Sequence, residues 1–302
     1  MSLFLFEFAT CGEKVVDSIA VEGLAMFKTL YNGFRRHCEV KAFVREEFSP
    51  LGFPTDKLER IENWLENCDS FLIVAPEDEF ILLSLTKKAE KYCENLGSSS
   101  KAIAITSDKW RLYKKLKGRV LVPKTSKRPL GEKFLVKPRV SCGGEGIGFG
   151  KEVKKGFIAQ EFISGKALSV SLVVKDDIEV VSVNEQILED FRYKGAIVPA
   201  RIDEKTAIEV CEEAINAVEA IKGLNGYVGV DLVYADQPYV IEINARITTP
   251  VVAFERAYGV NVADMILGDF EYSGFRRQKI EKGDFEDCIA KVGSVALRVC
   301  DF

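Results

Sequence analysis

The sequence has little of what several functions require. Its 302 residues include a single histidine, His37, on which any Ser-His-Asp triad or histidine-rich zinc site would depend. Lys and Arg total 42 against 46 Asp and Glu, and a chain without a basic excess is not expected to bind nucleic acid. No apolar run approaches the roughly 20 residues of a membrane span. The first residues do not form a secretory leader, in which basic residues precede an apolar run, so we expect a cytoplasmic protein with no membrane partner.

Cysteine motifs are also missing. None of the eight cysteines forms a C-x-x-C pair, so we expect reduced, mostly buried thiols. Hydrophobic residues make up 47% and charged residues 29%, which is the balance of a globular chain and argues against disorder. The length suggests roughly two domains.

The first third alternates short apolar runs with segments of helical period. We predict strands over 3–8, 40–44, 71–75 and 102–105, and a helix over 80–96 that stops at Gly97. Strands separated by helices are typical of a parallel sheet. The sequence therefore predicts an N-terminal open parallel α/β domain over 1–105.

The remainder contains many strand-like runs and a single long helix, over 204–222. This composition is typical of an antiparallel α+β architecture, which we divide into 106–165 and 166–302. The predicted strands are 134–136, 157–162, 168–174, 180–183, 228–233 and 239–243.

A lysine followed at once by a glycine-rich loop forms the first candidate site. Lys137 ends an apolar strand, and glycines let backbone N–H groups approach phosphate oxygens while the lysine adds charge. No Gly-Lys-Ser/Thr follows, so this is not a Walker A motif, and a hairpin loop beside a solvated lysine is the alternative. The loop glycines are Gly143, Gly144, Gly146 and Gly148.

A second segment can present backbone groups to a ligand. Gln160 to Ile163 alternates polar and apolar residues and stops at Gly165, so its N–H and C=O groups could meet an adenine edge. A plain edge strand is the alternative.

Two carboxylates and an amide form the third cluster. The turn signal at 236–238 predicts a hairpin in which Asp231 lies across from Glu242, with Asn244 on the same face. Such hard oxygen ligands suit Mg²⁺, and a solvated polar face is the alternative. Alternation also places Val240 and Arg246 in this row, and Ile241, Ile243 and Ala245 in the core.

In this order, the three clusters resemble the ATP-grasp superfamily over about 106–267. The resemblance implies an ATP-grasp fold with antiparallel sheets, preceded by an α/β domain. It also implies an ATP-dependent carboxylate–amine ligase that works through an acylphosphate, with ATP and Mg²⁺ or Mn²⁺. Phosphoryl transfer needs charge neutralisation and positioning, so no nucleophilic Ser or Cys is required.

The resemblance also implies residue roles. Lys109 and Lys137 would bind phosphate, and the glycine loop would close as a lid. One departure is Ala167, where the family often has a glutamate that helps hold the ribose. The remaining implied roles are nucleotide contacts by Gly143, Gly144, Gly146, Ile147, Gln160, Glu161, Phe162 and Ile163, metal binding by Asp231, Glu242 and Asn244, and stabilisation of phosphoryl charge by Arg246.

Further segments resemble one archaeal and bacterial subgroup of the superfamily. They are 6–12, 22–26, 184–186, 193–195 and 199–201. The best-defined activity of this subgroup joins the γ-carboxylate of L-glutamate to tyramine in methanofuran biosynthesis, which implies a small-molecule carboxylate and amine as partners.

Four residues are candidate substrate contacts under this hypothesis. Arg201 would clamp a carboxylate, because a guanidinium forks onto two oxygens. Glu7 and Glu22 would receive an ammonium group, and Arg139 would reach phosphate or substrate. The structural alternatives are that Glu22 favours a helix N-terminus and that Arg201 pairs with a nearby acid, Asp203 or Glu204.

Three other functions stay open. They are a different ATP-grasp chemistry such as carboxylation, a nucleotide-binding module without ligase activity, and an α/β interaction protein. A homodimer is the default expectation from symmetry statistics.

Overall fold

The computed structural model describes residues 1–268 and 270–302, whose strands form one parallel and two antiparallel sheets. The predicted combination of an open parallel α/β part and antiparallel α+β parts is confirmed. The sheets occupy consecutive stretches of chain, and we propose that the domain limits at 105 and 165 follow them. No helix in the described ranges is both long and apolar enough to cross a membrane.

The parallel sheet builds the N-terminal part. Its strands run in the order β2-β1-β3-β4, and the two central strands, β1 and β3, are almost entirely buried. The strands are β1 Ser2–Glu7, β2 Glu39–Lys41, β3 Ser70–Val74 and β4 Glu94–Asn95. The helices around them are α1 Asp17–Phe34, α2 Ile61–Leu65, α3 Ile81–Ala89 and α4 Ser100–Thr106.

Two predictions for this part were wrong. The apolar run 102–105 is not a strand but lies in α4, which the Ser99 side chain caps by accepting a hydrogen bond from the Ala102 N–H. An apolar run of four residues is too short for its period to separate helix from strand. The helix predicted to reach residue 96 ends at Ala89, because the chain pairs with β3 at Glu94 and Asn95 to form the fourth strand.

The second sheet is small and antiparallel, in the order β5-β8-β6-β7, and it follows helix α5, Lys109–Leu116. Its strands are β5 Thr125–Ser126, β6 Phe134–Pro138, β7 Gly148–Gly150 and β8 Phe157–Gln160. The loop between β6 and β7, residues 139–147, contains most of the glycine-rich segment.

The third sheet has eight strands in the order β13-β12-β9-β10-β11-β14-β16-β15. All six strands predicted after residue 106 overlap an observed strand, whereas β5, β7, β11 and β14 to β16 were not predicted. The strands are β9 Lys166–Val174, β10 Ile178–Glu189, β11 Arg192–Val198, β12 Gly226–Tyr234, β13 Pro238–Asn244, β14 Gln278–Gly283, β15 Ala290–Val292 and β16 Val295–Asp301. The helices are α6 Glu204–Glu219, α7 Phe254–Tyr258 and α8 Val262–Leu267.

Helix α1 joins the ends of the chain. It packs on β1 and also against β15 and β16, and its Lys28 Nζ donates to the Ile289 carbonyl at 3.1 Å. This packing sets the N-terminal part against the large sheet.

All eight cysteines are free thiols, as expected, but only Cys11 is buried and the other seven are half-buried.

Candidate active site

Two adjoining cavities of about 190 Å³ each lie where the three sheets meet. We call the first the nucleotide cavity, after the segments predicted to contact ATP that line it: the small sheet, the glycine loop and the β12–β13 hairpin. We call the second the substrate cavity, after the predicted substrate contacts Glu7 and Glu22; it is lined by the end of β1, helix α1 and the segment after β13. Both cavities are lined by a shared wall of Cys142, Gly143, Gln186, Tyr193, Asp231 and Asn244.

The acidic pair lies on this hairpin as predicted. Asp231 of β12 is directly opposite Glu242 of β13. Burial, and then the neighbouring Glu242 carboxylate, raise the pKa of Asp231 to about 7. Two side-chain amides bind the Asp231 carboxylate: Gln186 Nε2 donates to one of its oxygens and Asn244 Nδ2 to the other, both at 3.0 Å.

This donor set fits a hard divalent cation. Two carboxylates and an amide oxygen are ligands that Mg²⁺ and Mn²⁺ accept, and an added positive charge would offset the repulsion between Asp231 and Glu242. Within residues 1–268 and 270–302, no cluster of three or more His, Cys, Asp and Glu could hold a metal ion. A metal here would therefore need Asn244 as well as the two acids.

The strand alternation was wrong at one point. The β12–β13 register shifts between Asp231 and Leu232, which pairs with Val240 instead of Ile241. A bulge of this kind leaves one residue unpaired and re-aims its neighbours. Val240 is consequently buried at 2% exposure, and Ile241 lines the nucleotide cavity.

The two lysines approach this hairpin from the small sheet and from α5. Lys109 Nζ contacts Glu242 Oε1 at 2.8 Å and the Ser141 carbonyl at 2.7 Å. Burial lowers its pKa, but the charge and hydrogen bond of Glu242, together with the charge of Glu77, raise it, and the net shift is upward, so this lysine is held as a cation. Burial, aided by the charge of Lys109, lowers the pKa of Lys137 to about 8. An anionic ligand would favour the charged form of Lys137.

The glycine loop is seated against the turn between β10 and β11. Gly144 has a φ of +78°, and a Cβ on it would collide with the Phe191 carbonyl. Gly143 and Gly146 also have positive φ. The loop is tied on its other side by the Cys142 N–H, which donates to Asp78 of the N-terminal part at 3.3 Å.

The predicted adenine segment lines the far end of the nucleotide cavity. The buried Gln160 side chain donates to Thr125 Oγ1 at 3.1 Å, and the Glu161 N–H donates to the Lys124 carbonyl at 2.8 Å. Because the Glu161 N–H is already engaged, the carbonyl oxygen is the backbone group of Glu161 that could bond to an adenine base. Phe162 and Phe191 line the same cavity, and their rings and that of Phe149 meet edge to face with centroids 5.1 to 6.3 Å apart. Ala167 lines the same cavity, as do Ile147 and Ile163.

Arg246 lies in the substrate cavity and is held by a residue that sequence analysis missed. Its Nε and Nη2 donate to the two carboxylate oxygens of Glu77, both at 2.9 Å. Burial lowers the pKa of Arg246, but the charge and hydrogen bonds of Glu77, together with the charge of Glu242, raise it, and the net shift is upward. Glu77 lies two residues after the predicted strand 71–75, and that position at the carboxyl end of a parallel strand was the available signal.

The two predicted glutamates also line the substrate cavity. Glu7 is buried and accepts hydrogen bonds from the Ala9 N–H, the Thr10 N–H and the Thr10 hydroxyl at 2.7 to 3.1 Å, so it also caps the turn after β1. Burial raises the pKa of Glu7. Glu22 pairs with Lys282 and accepts from the Thr249 hydroxyl, both at 2.6 Å.

Two predicted substrate arginines line neither cavity. Arg201 is half-exposed and pairs with Glu185 at 3.0 Å, a partner that the sequence did not indicate. Arg139 pairs with Asp108, which itself caps α5. Each guanidinium is thus engaged by an acid outside the cavities.

Comparison with known proteins assigns this architecture to a class. The sequence model of the ATP-grasp domain family matches residues 106–250, and that of the pre ATP-grasp 3 domain family matches residues 47–103. The chain belongs to the ATP-grasp family and is an ATP-dependent C–N ligase of that type.

Particular relatives are similar over most of the chain. A tyramine–L-glutamate ligase of Methanocaldococcus fervens is 38% identical over 82% of this chain and 88% of its own length. That of Methanocaldococcus jannaschii is 40% identical over 82% of this chain and 83% of its own. A solved ATP-grasp superfamily protein from Archaeoglobus fulgidus is 60% identical, covers 100% of this chain and 99% of its own, and has a TM-score of 0.96.

Proposed function

We propose that the protein joins the γ-carboxylate of L-glutamate to the amine of tyramine, with release of ADP and phosphate. The observation that carries this proposal is the shared wall between the two cavities, where Asp231 and Asn244 face both. A carboxylate in the substrate cavity and the end of a triphosphate in the nucleotide cavity would meet there. The names of the relatives in Methanocaldococcus supply the choice of substrates.

The reaction has two displacements. A carboxylate oxygen attacks the γ-phosphorus of ATP, the bond to the β-phosphate oxygen breaks, and ADP leaves. The amine nitrogen then attacks the acyl carbon of the acylphosphate, phosphate leaves, and the amine proton passes to solvent or to a nearby base. Neither step needs a covalent bond to the protein.

This chain's residues would neutralise charge and hold both substrates in place. Lys109 and Lys137 would bind the phosphates, and Arg246 would stabilise charge on the transferred group. Asp231, Glu242 and Asn244 would hold Mg²⁺ or Mn²⁺, which neutralises phosphate charge when bound. The glycine loop would keep water from the acylphosphate, and Glu22 would receive an ammonium group.

The test is ADP release by the purified protein with Mg²⁺ and ATP. It is run with glutamate alone, with glutamate and tyramine, and with glutamate and a panel of other amines. We expect ADP release that depends on both substrates and a condensed product of the mass of γ-glutamyltyramine. The Glu242→Gln variant serves as the matched inactive control.

Each other outcome names a different function. A condensed product with another amine or acid keeps the ligase and replaces the substrates. Thermal stabilisation by Mg²⁺-ATP without turnover on any pair would point to a nucleotide-binding module. An absence of any response to ATP would overturn the assignment of the nucleotide cavity.

A further inference from the structure

Tyr193 has a buried hydroxyl with nothing to bond to. In the described part of the chain, three buried side-chain polar atoms lack a hydrogen-bond partner, and they belong to Ser107, Tyr193 and Gln278. Only Tyr193 lines the two cavities, and it does so on their shared wall. An unpaired buried polar group is costly, so it calls for a partner that the free protein does not supply.

Two fully buried tyrosines, Tyr227 and Tyr258, show what a structural hydroxyl looks like, whereas the Tyr193 ring is half-buried and only its hydroxyl is fully enclosed. The Tyr227 hydroxyl bonds to Ser171 at 2.8 Å and to Thr248 at 2.6 Å, and the Tyr258 hydroxyl bonds to Ser182. Buried tyrosine hydroxyls usually find such partners. Tyr193 instead makes contacts through its ring, which packs against the hydrophobic core and has Lys282 Nζ 5.5 Å from its centroid.

The side-chain amides of the shared wall already have an acceptor. The amides of Gln186 and Asn244 each donate to Asp231. Burial raises the pKa of Tyr193 well above its ordinary value, so its phenol stays protonated and can donate at neutral pH. The nearby Glu22 carboxylate is neutralised by Lys282 at 2.6 Å, which lessens its repulsion of a second anion.

We propose that the Tyr193 hydroxyl donates a hydrogen bond to the carboxylate substrate where the two cavities meet. This inference rests on the proposed function, because the reacting oxygen must lie between the γ-phosphate and the substrate cavity. Tyr193 is then a substrate-binding residue of the reaction, and its hydroxyl recognises an anionic oxygen and not the amine.

The test replaces only this oxygen, in Tyr193→Phe. Kinetics are measured while ATP, the carboxylate and the amine are varied in turn. We expect kcat/KM for the carboxylate to fall roughly ten- to hundredfold, the usual effect of losing a hydrogen bond to a charged group. The KM values for ATP and for the amine should change by less than about twofold. Without ligands, the thermal unfolding midpoint should stay the same or rise, because an unpaired hydroxyl has been removed.

Tyr234→Phe is the matched control. The Tyr234 hydroxyl donates to Glu209 at 2.7 Å and lines neither cavity. We expect this variant to keep wild-type kinetics. Unchanged carboxylate kinetics in Tyr193→Phe, a loss confined to the amine, or a clear drop in its ligand-free midpoint would each overturn the inference.

Failure of the proposed function has a different signature. The wild type itself would then form no amide from glutamate and tyramine. Carboxylates would in that case be screened by thermal stabilisation of the wild type with Mg²⁺ and a non-hydrolysable ATP analogue. Tyr193→Phe should lose the stabilisation by the carboxylate that Tyr234→Phe retains, and equal stabilisation of both variants would overturn the inference.

Discussion

Replacing Glu77 by Gln should both destabilise the protein and slow its reaction. Glu77 is 4% exposed, and its carboxylate holds the Arg246 guanidinium through two hydrogen bonds of 2.9 Å across the boundary between the parallel sheet and the β13 end. Removal of one partner of a buried ion pair costs about 3–5 kcal/mol, since the other charge stays buried without compensation. We expect a loss of about 3 kcal/mol, because the Gln amide retains one acceptor oxygen.

Urea unfolding followed by circular dichroism measures this loss. The matched control is Glu255→Gln, which breaks another Arg–Glu pair of 2.8 Å whose partners, Arg36 and Glu255, are both about half-exposed. Surface pairs contribute little, so the control should stay within about 0.5 kcal/mol of the wild type. A loss in Glu77→Gln no larger than that of the control would refute the reasoning.

Kinetics separate positioning from stability. Without Glu77 the guanidinium of Arg246 is no longer held in one orientation, so kcat should fall more than the KM for ATP rises. The double variant Glu77→Gln/Arg246→Gln should recover part of the stability, because neither member of this pair is then left as an unpaired buried charge, but none of the activity. If the double variant recovered no stability, Glu77 would act through contacts other than Arg246.

Three further predictions follow from the nucleotide cavity. Gly144→Ala should weaken nucleotide binding more than Gly143→Ala in calorimetric titration. Both glycines have positive φ, but only a Cβ at position 144 would collide with the Phe191 carbonyl, so equal effects would contradict the packing of the glycine loop against the β10–β11 turn. Lys137→Met should stabilise the free protein at pH 7 by about 3 kcal/mol while weakening ATP binding. The native pKa of Lys137 is lowered to about 8 from 10.5, so this gain should shrink as pH rises from 8 to 10.5, and a constant gain would argue against burial of the charge. Glu242→Gln should abolish ADP release while leaving much of the ATP affinity, and full turnover would remove Glu242 from the metal set.

The sequence by itself determined the class of the protein and much of its site. Glycines after a strand-ending lysine, and acids opposite each other on a predicted hairpin, are local patterns, so they could be read along the chain. The pairing of Asp231 with Glu242 followed from one turn signal and the period of two. An apolar run as short as 102–105 does not show whether side chains repeat with the period of a helix or of a strand, so a strand was predicted where the structure has a helix.

Only the tertiary structure decided which charged residues have partners. Arg201 and Arg139 are engaged by Glu185 and Asp108, acids 16 and 31 residues away along the chain. Arg246 depends on Glu77, 169 residues away, and no local pattern relates the two. The bulge that brings Ile241 into the nucleotide cavity, and the isolation of the Tyr193 hydroxyl, likewise depend on which strands become neighbours. Side-chain pairing across sheets is set by packing of distant segments, which period and spacing along one chain do not encode.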